Sequence, residues 1–287
     1  MNLLPGIEPS ENDLIERAMG QPLDVKIKKA ILLLQEYDKL ASEMSDKGYW
    51  LAYSGGKDSG VILELANMAG VKYEAVYSVT TIDPPEIIYF MRKEHPEVRF
   101  LHPEMPLLTM MVDNGIGPPS GWSRWCCRFY KESAGTGCAI IIGVRAAESP
   151  KRKARWKQIS RRTDKDALYV CPILYWTDND VWEFHRLRDI PYCELYDEGF
   201  KRLGCIGCPL AGYKLQRRDF DRWPKYEEMW KRAFKRFWDK WHGVPTRKGN
   251  VRSFEDFGSW EGLWEWWISG VNKNKADDGC QMEFMWQ

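Results

Sequence analysis

The sequence predicts an α/β fold: a mostly parallel sheet with helices on both faces, followed by a helical C-terminal cap. Three observations carry this. Short apolar runs alternate with helical stretches through the first 210 residues, the pattern of parallel βαβ units. A glycine-rich string, Ser54-Gly-Gly-Lys-Asp-Ser59, joins one apolar run directly to a helical stretch. Beyond Pro209 the alternation stops and aromatic residues recur at helical spacing, with more than half of the 15 Trp lying after residue 222.

The elements follow in order. Residues 1–23 hold Pro5, Pro9 and Pro22 without a period and are expected to be an irregular arm. From Asp24 to Ser45, Ile27, Ile31 and Leu34 with Leu33, Tyr37, Leu40 and Met44 predict a helix. Tyr49–Tyr53 reads as a short buried strand, and the helix after the glycine string sets Val61, Ile62, Leu65, Ala66 and Ala69 on one face. Tyr73–Val79 predicts a strand, Ile87–His95 a helix, Val98–His102 a strand, and Cys138–Val144 is the most strand-like run of all. In the cap, Tyr226, Met229, Trp230, Ala233, Phe234, Phe237, Trp238 and Trp241 form one apolar stripe. A second cap helix is expected after a capping box of Ser253 and Asp256, with Leu263, Trp264, Trp267 and Ile268 as its stripe. The expected division is an arm (1–23), a nucleotide-binding domain carrying a cysteine site (24–210), the helical cap (211–271) and a mobile tail (272–287).

Composition narrows the function. With 287 residues, 44% apolar and 29% charged, the chain has enough apolar content for a core, which excludes global disorder. No apolar run approaches the roughly 18 residues of a membrane span, and the first 20 residues lack a secretory pattern, so a cytoplasmic location is expected. A net charge of +1 excludes a general attraction to polyanions; a nucleic-acid surface would have to be local. Eight Cys in a reducing compartment point to metal binding or chemistry more than to disulfides.

The string at 54–59 sits where an α/β fold binds anions. Gly55 and Gly56 permit close backbone approach, and the following helix aims free N–H groups at a phosphate. Ser54 and Ser59 add hydroxyls, Lys57 a charge, and Asp58 is explained by a bound Mg²⁺ or by a cap. The spacing is not that of a Walker A loop, which disfavours an ordinary P-loop NTPase. Arg145 ends the strongest strand, where a fixed guanidinium could brace an anion. Cys126-Cys127 and Cys205-Ile-Gly-Cys208 can supply four sulfurs to zinc or to an iron–sulfur cluster, with Arg124, Arg128, Lys201 and Arg202 nearby to favour thiolates. Trp122 and Trp125 could shield that site. Cys138 and Cys171 read as core residues. Lys151–Lys165 carries eight Lys/Arg and one Asp around Trp156, which suits either a nucleic-acid backbone or a solvated loop.

Ser54–Ser59 resembles the PP-loop of the adenine-nucleotide α-hydrolase-like superfamily, and the chain resembles the phosphoadenosine phosphosulfate (PAPS) reductase family within it. Thr81-Ile-Asp-Pro-Pro-Glu86, Gly143-Val-Arg-Ala-Ala-Glu-Ser149 and Pro172–Trp182 resemble further ordered signatures of that family, over about residues 49–210. The resemblance implies a Rossmann-like sheet. It implies that Ser54, Gly55, Gly56, Lys57, Asp58 and Ser59 hold a phosphate or phosphosulfate, with Thr81 and Arg145 near the nucleotide. It also implies a [4Fe–4S] cluster on Cys126, Cys127, Cys205 and Cys208. Two reactions are compatible. In the first, ATP with Mg²⁺ adenylates an acceptor, with Lys57, Asp58 and Arg145 as catalytic groups, and sulfur from a cysteine desulfurase displaces AMP. The acceptor is expected to be DNA, contacted through Lys151–Lys165, because Arg-Leu-Gly-Cys-Ile-Gly-Cys-Pro-Leu-Ala211 resembles DNA phosphorothioation proteins. In the second, a thiolate attacks the sulfur of adenosine phosphosulfate (APS) or PAPS and sulfite leaves. Cys280 is near the right place for that nucleophile, but its neighbours do not match the family's C-terminal segment. A nucleotide-binding partner protein without turnover is the third reading.

Overall fold

The computed structural model describes residues 10–121, 123–246 and 249–269. In chain order the helices and strands are α1 (Glu11–Met19), α2 (Leu23–Met44), β1 (Tyr49–Ala52), α3 (Lys57–Ala69), β2 (Tyr73–Ser78), α4 (Pro85–Glu94) and β3 (Arg99–Leu101). They continue with α5 (Leu107–Asp113), α6 (Trp125–Tyr130), β4 (Ala139–Ile141), α7 (Pro150–Arg155), β5 (Ile159–Arg162), β6 (Ala167–Val170) and α8 (Asp178–Arg188). The last three are α9 (Tyr213–Arg222), α10 (Pro224–Trp241) and α11 (Trp260–Ser269).

The chain forms two compact units. The first comprises Met1–Ser78, Pro85–Leu101 and Ala134–Leu203; the second comprises Val79–Pro84, His102–Ser133 and Gly204–Gln287. This differs from the consecutive blocks expected from the sequence. Residues 102–133, including Cys126 and Cys127, belong with the C-terminal helices because α5 packs on α10. A composition change along the chain does not reveal such a return.

The first unit is the predicted α/β layer. Its six strands run in the order β3-β2-β1-β4-β6-β5, all parallel except β5, which pairs antiparallel with β6. The central strands are apolar on both faces, as a helix-covered parallel sheet requires: Leu51, Ile140, Ile141 and Val170 are all buried. The order turns outward from β1 toward β2 on one side and β4 on the other, which makes the carboxyl ends of β1 and β4 the natural ligand crevice. The strand at Cys138–Val144 is shorter than expected, and the chain leaves it at Ile142 toward Arg145.

The supposedly irregular arm contains α1. Its start is a capping box: Asp13 N–H donates to Ser10 Oγ, and Asp13 Oδ2 accepts from the Ser10 backbone. Such a box satisfies orphan amide groups locally and nucleates a helix that periodicity alone did not reveal. Lys26, buried at the start of α2, donates to Met19 O and pairs with Asp180 of α8 at 2.6 Å.

In the second unit, α10 buries Trp230, Ala233, Phe234 and Phe237, all members of the predicted stripe. Trp264 and Trp267 of α11 pack on Phe234, and Phe220 of α9 joins them. The expected box at Ser253 and Asp256 does not open this last helix. Residues Ser253–Phe257 form a separate 3₁₀ turn, the side chain of Ser253 lies outside the described residues, and Ser259 Oγ instead accepts from Gly262 N–H at 3.2 Å. The tail expected over 272–287 also lies outside the described residues. No helix among the described residues is long and apolar enough to cross a membrane.

Candidate active site

The glycine string connects β1 to α3 as predicted. Gly55 has φ +70°, and a Cβ there would come within 2.7 Å of Ile87, so glycine is required twice over. Ser59 is buried and donates to Gly56 O at 2.7 Å, while Ser54 and Ser59 hydroxyls lie 3.2 Å apart. These bonds fold the string over the amino end of α3, where the Ser59 and Gly60 amides both donate to Gly56 O.

Lys57 and Arg145 are both buried, with 5% and 3% of their surface exposed. Two buried cations demand compensation. Arg145 Nε donates to Asp58 Oδ1 at 2.6 Å and its Nη2 to Asp178 Oδ1 at 3.1 Å. Lys57 Nζ lies 3.3 Å from Asp58 Oδ2 and 3.1 Å from Asp178 Oδ1. The result is a four-charge square on the carboxyl edge of the sheet. Burial acts to raise the Asp178 pKa, but the hydrogen bond and charge of Lys57, joined by Arg145, outweigh it and hold the carboxyl below its ordinary value.

The neighbouring segments explain how the square is held. Gly143 passes so close to α3 that a Cβ would sit 3.1 Å from Asp58 O, which lets the strand end deliver Arg145. Glu148 accepts from Arg145 N–H at 3.1 Å and pairs with Arg152, fixing the turn that carries the guanidinium. Thus Gly143, Arg145 and Glu148 of the Gly143–Ser149 segment each have a geometric task. In the Pro172–Trp182 segment, Asp180 serves structure, bonding Thr177 and Lys26, and Asp178 faces the site.

Three site residues have no clear signal in the sequence. Asp178 is the first. Tyr196 is the second: its hydroxyl accepts from Lys57 N–H at 2.9 Å, and burial pushes the phenol up so that it keeps its proton. Trp182 packs edge-on against the Tyr196 ring at 5.2 Å. His185 is the third; it is buried, with Nε2 2.8 Å from Lys57 O and Nδ1 3.2 Å from Ile190 O. A histidine ahead of a Tyr-rich turn is the only local signal, and it does not say which loop the side chain meets.

Thr81 lies in the second unit and has φ +69°, a strained backbone for a β-branched residue. Its hydroxyl accepts from Leu107 N–H at 3.0 Å. Next to it, Thr80 is bonded twice to Asp83, at 2.6 and 2.7 Å, and Cys205 Sγ lies 3.4 Å from Thr80 Oγ1. The family resemblance implies a place for Thr81 near the nucleotide; its observed bond is to Leu107, one residue along from the contact with the cysteine turn.

The four cysteines Cys126, Cys127, Cys205 and Cys208 share one electrostatic neighbourhood in the second unit. Cys126 donates to Cys127, which raises the first thiol; the second falls well below its ordinary value through that bond, against burial, with help from Arg124 and Lys131. Burial pushes the Cys208 thiol up. The Lys131 ammonium interacts with Cys205, Asp83 and Cys127, which raises the lysine pKa against the effect of burial. Every peptide group at the centre of the Cys-x-x-Cys turn is bonded. Ile206 N–H donates to Ile82 O at 2.8 Å and Ile206 O accepts from Trp230 Nε1 at 3.3 Å. Gly207 N–H donates to Asp219 at 3.2 Å and Gly207 O accepts from Gln216 Nε2 at 3.0 Å. Yet among the described residues no three His, Cys, Asp or Glu side chains are placed so that they could hold a metal ion. The sulfurs are gathered but do not form a ready metal site. Cys280 and Trp122 lie outside the described residues.

The basic segment is less basic in space than in sequence. Arg152, Lys153, Lys157, Arg161 and Arg162, five of its eight cations, stand within 4 Å of Glu148, Glu16, Glu11, Asp166 and Asp164. It folds as α7 and β5 and not as a loop.

Comparison with known proteins follows this geometry. An uncharacterized protein of Methanocaldococcus jannaschii is 27% identical over 272 residues, covering 88% of this chain; the chain spans only 52% of that protein's length. Adenosine 5′-phosphosulfate reductase of Staphylococcus epidermidis is 28% identical over 181 residues, 59% of this chain and 74% of that one. The crystal structure of phosphoadenylyl-sulfate reductase from Candida auris in complex with phosphate superposes with a TM-score of 0.43 at 16% identity, covering 69% of this chain and 97% of that one. The model of the phosphoadenosine phosphosulfate reductase domain matches residues 48–211, more than half of the chain. Because that match runs from the glycine string through the Arg145 turn to the Cys-x-x-Cys turn, the chain belongs to the phosphoadenosine phosphosulfate reductase domain family.

Proposed function

We propose that the protein binds ATP with Mg²⁺ at the glycine string and uses it to activate an oxygen acceptor for sulfur transfer. The observation that carries this reading is the pair of carboxylates, Asp58 and Asp178, inside the anion site. A bare sulfonucleotide gains nothing from two carboxylates, whereas a triphosphate brings a divalent cation that one or two carboxylates plus phosphate oxygens hold well. The residues fit: Asp58 and Asp178 are the oxygen donors on the carboxyl edge, already in contact with Lys57 and Arg145. When bound, the ion neutralises charge on the phosphates.

The chain's own part is positioning and charge. The start of α3, through its positive dipole end and the Asp58 N–H, holds the phosphates with Ser54 and Ser59, the neighbouring Lys57 and Ser59 amides being bonded to Tyr196 and Gly56. Lys57 and Arg145 stabilise negative charge at the α-phosphorus and on the departing pyrophosphate. The acceptor oxygen bonds to the α-phosphorus as its bond to pyrophosphate breaks. A sulfur nucleophile at the sulfide level then displaces AMP, and the acceptor keeps the sulfur. A cysteine desulfurase is the proposed source of that sulfur: a thiol reductant cleaves its persulfide, is itself oxidised to a disulfide and frees the sulfur as sulfide; DNA is the proposed acceptor. The four cysteines are the proposed ligands of a [4Fe–4S] cluster. An all-sulfur donor set beside the Lys131 cation fits an anionic cluster chemically.

The second reading, reduction of APS to sulfite, draws on the match to relatives bearing that name. One experiment separates the two. Anaerobically purified protein is assayed for pyrophosphate release from ATP·Mg²⁺ with acceptor DNA and sulfide, and in parallel for sulfite release from APS and PAPS with a thiol. Pyrophosphate release that disappears in Lys57→Ala is expected. Sulfite release abolished by Cys280→Ser, with no pyrophosphate formed, would reverse the order.

A further inference from the structure

The first unit contains a cavity of about 400 Å³ whose lining shares no side chain with the four-charge square. The helix α1 supplies an apolar wall, and Trp156 and Tyr175, both partly buried, add aromatic rings. Trp156 is not a loose surface ring. Its N–H closes α7 on Arg152 O at 3.0 Å, and its indole meets Tyr169 edge-on at 5.7 Å.

The polar groups at this cavity are selective. Gln21 accepts from Lys29 Nζ at 2.9 Å through Oε1, and among the described residues its amide N–H groups have no partner. Gln158 also lines the cavity, and its backbone oxygen is used by Cys171 N–H. Among the described residues Lys29 has no carboxylate partner, and Lys157 faces Glu11 only at 3.9 Å with both side chains largely exposed. Besides Lys29 and Lys157 the lining holds Lys26, which is spent on Asp180, and one carboxylate, Glu11. Flat aromatic surface, amide-bearing side chains and two cations not spent on a buried partner form a combination that fits a heteroaromatic ring with polar edges and an attached anion.

We propose that this cavity holds an unstacked nucleobase, with its phosphate at Lys29 and Lys157. A free nucleotide and a base turned out of a single strand offer the same chemistry. The site uses none of the residues that hold ATP in the reaction proposed above, while Trp156 and Lys157 belong to the segment expected to contact the acceptor DNA.

The test measures anisotropy of a labelled single-stranded DNA 12-mer at low salt and titrates AMP separately by calorimetry. Binding that survives Lys57→Ala and falls in the cavity variants belongs to the cavity. In Trp156→Leu and in Tyr175→Leu, surviving affinity should fall about tenfold or more, the loss of one stacking partner. Trp156→Phe should retain it within about threefold. Lys29→Glu with Lys157→Glu should weaken binding and flatten its salt dependence. If AMP binds in Lys57→Ala and competes with the 12-mer, a free nucleotide suffices; if only the 12-mer binds, the base comes from a strand. Unchanged affinity in all of these variants, with thermal melts like wild type, would overturn the proposal, as would no binding of either probe. Should the Leu variants unfold, Gln21→Ala and the double Glu variant, which alter partly exposed groups, decide it.

Discussion

At the residue scale the proposed chemistry rests on Arg145 and its two carboxylates. Its guanidinium donates through Nε to Asp58 and through Nη2 to Asp178, a fork that a lysine ammonium cannot reproduce. Arg145→Lys is therefore expected to keep the fold but lower nucleotide affinity by about tenfold or more, which calorimetric titration of ATP·Mg²⁺ would measure. Asp58→Ala is a different lesion. It strips one compensating charge from Lys57 and Arg145, both buried, and should cost about 3–5 kcal/mol of stability by urea denaturation. Lys57 and Asp58 are legible in the sequence by themselves, since glycine, lysine and a helix start are adjacent along the chain. Asp178 is not, because nothing local distinguishes it from Asp180, whose carboxylate goes to Lys26.

At the element scale, the turn Cys205–Cys208 is built by the helices that hold it. The Gly207 φ of +73° and the closeness of the Phe220 ring to a would-be Cβ make Gly207→Ala costly, on the order of 2 kcal/mol or more. Asp219, which accepts from Gly207 N–H, has its pKa pushed up to about 6 by burial. Since this folded value lies above the ordinary 3.8, the native state binds the extra proton. Its contribution is fully favourable below about pH 4 and is lost as pH rises through about 6. Asp219→Asn, which keeps an acceptor oxygen for Gly207, should remove that slope and add on the order of 2 kcal/mol at pH 7. Denaturant midpoints from pH 4 to 8 would check this; an equal slope in the variant would assign it to another group. The stripe of α10 was legible because helical period and aromatic burial coincide there. The capping box of α1 is present in the sequence, at Ser10 and Asp13, but the prolines on either side mask a helix that its cap nucleates.

At the scale of the whole molecule, ligand and protons should both report on the first unit. ATP·Mg²⁺ at 100 times its dissociation constant should stabilise the folded state by about 2.7 kcal/mol, with increased hydrogen-exchange protection in peptides spanning β1–α3 and α8. No change in those peptides would remove the glycine string from the nucleotide site. Asp180 titrates in the opposite sense to Asp219. Burial raises it, but Lys26 and Thr177 outweigh this and depress it, so its stabilising contribution is present above its ordinary value and lost as pH falls further. The sequence by itself determined the α/β class, the glycine string with its anion chemistry, the cysteine pairs and the aromatic cap, because each is written in spacing, glycine placement or helical period. Tertiary structure alone decided that α5 and α6 join the C-terminal helices, that Asp178, Tyr196 and His185 converge on Lys57, and that five of the eight cations of residues 151–165 stand within 4 Å of a carboxylate. The reason is physical: local propensity and periodicity act between near neighbours in the chain, whereas charge compensation and packing act between neighbours in space, and the fold chooses those.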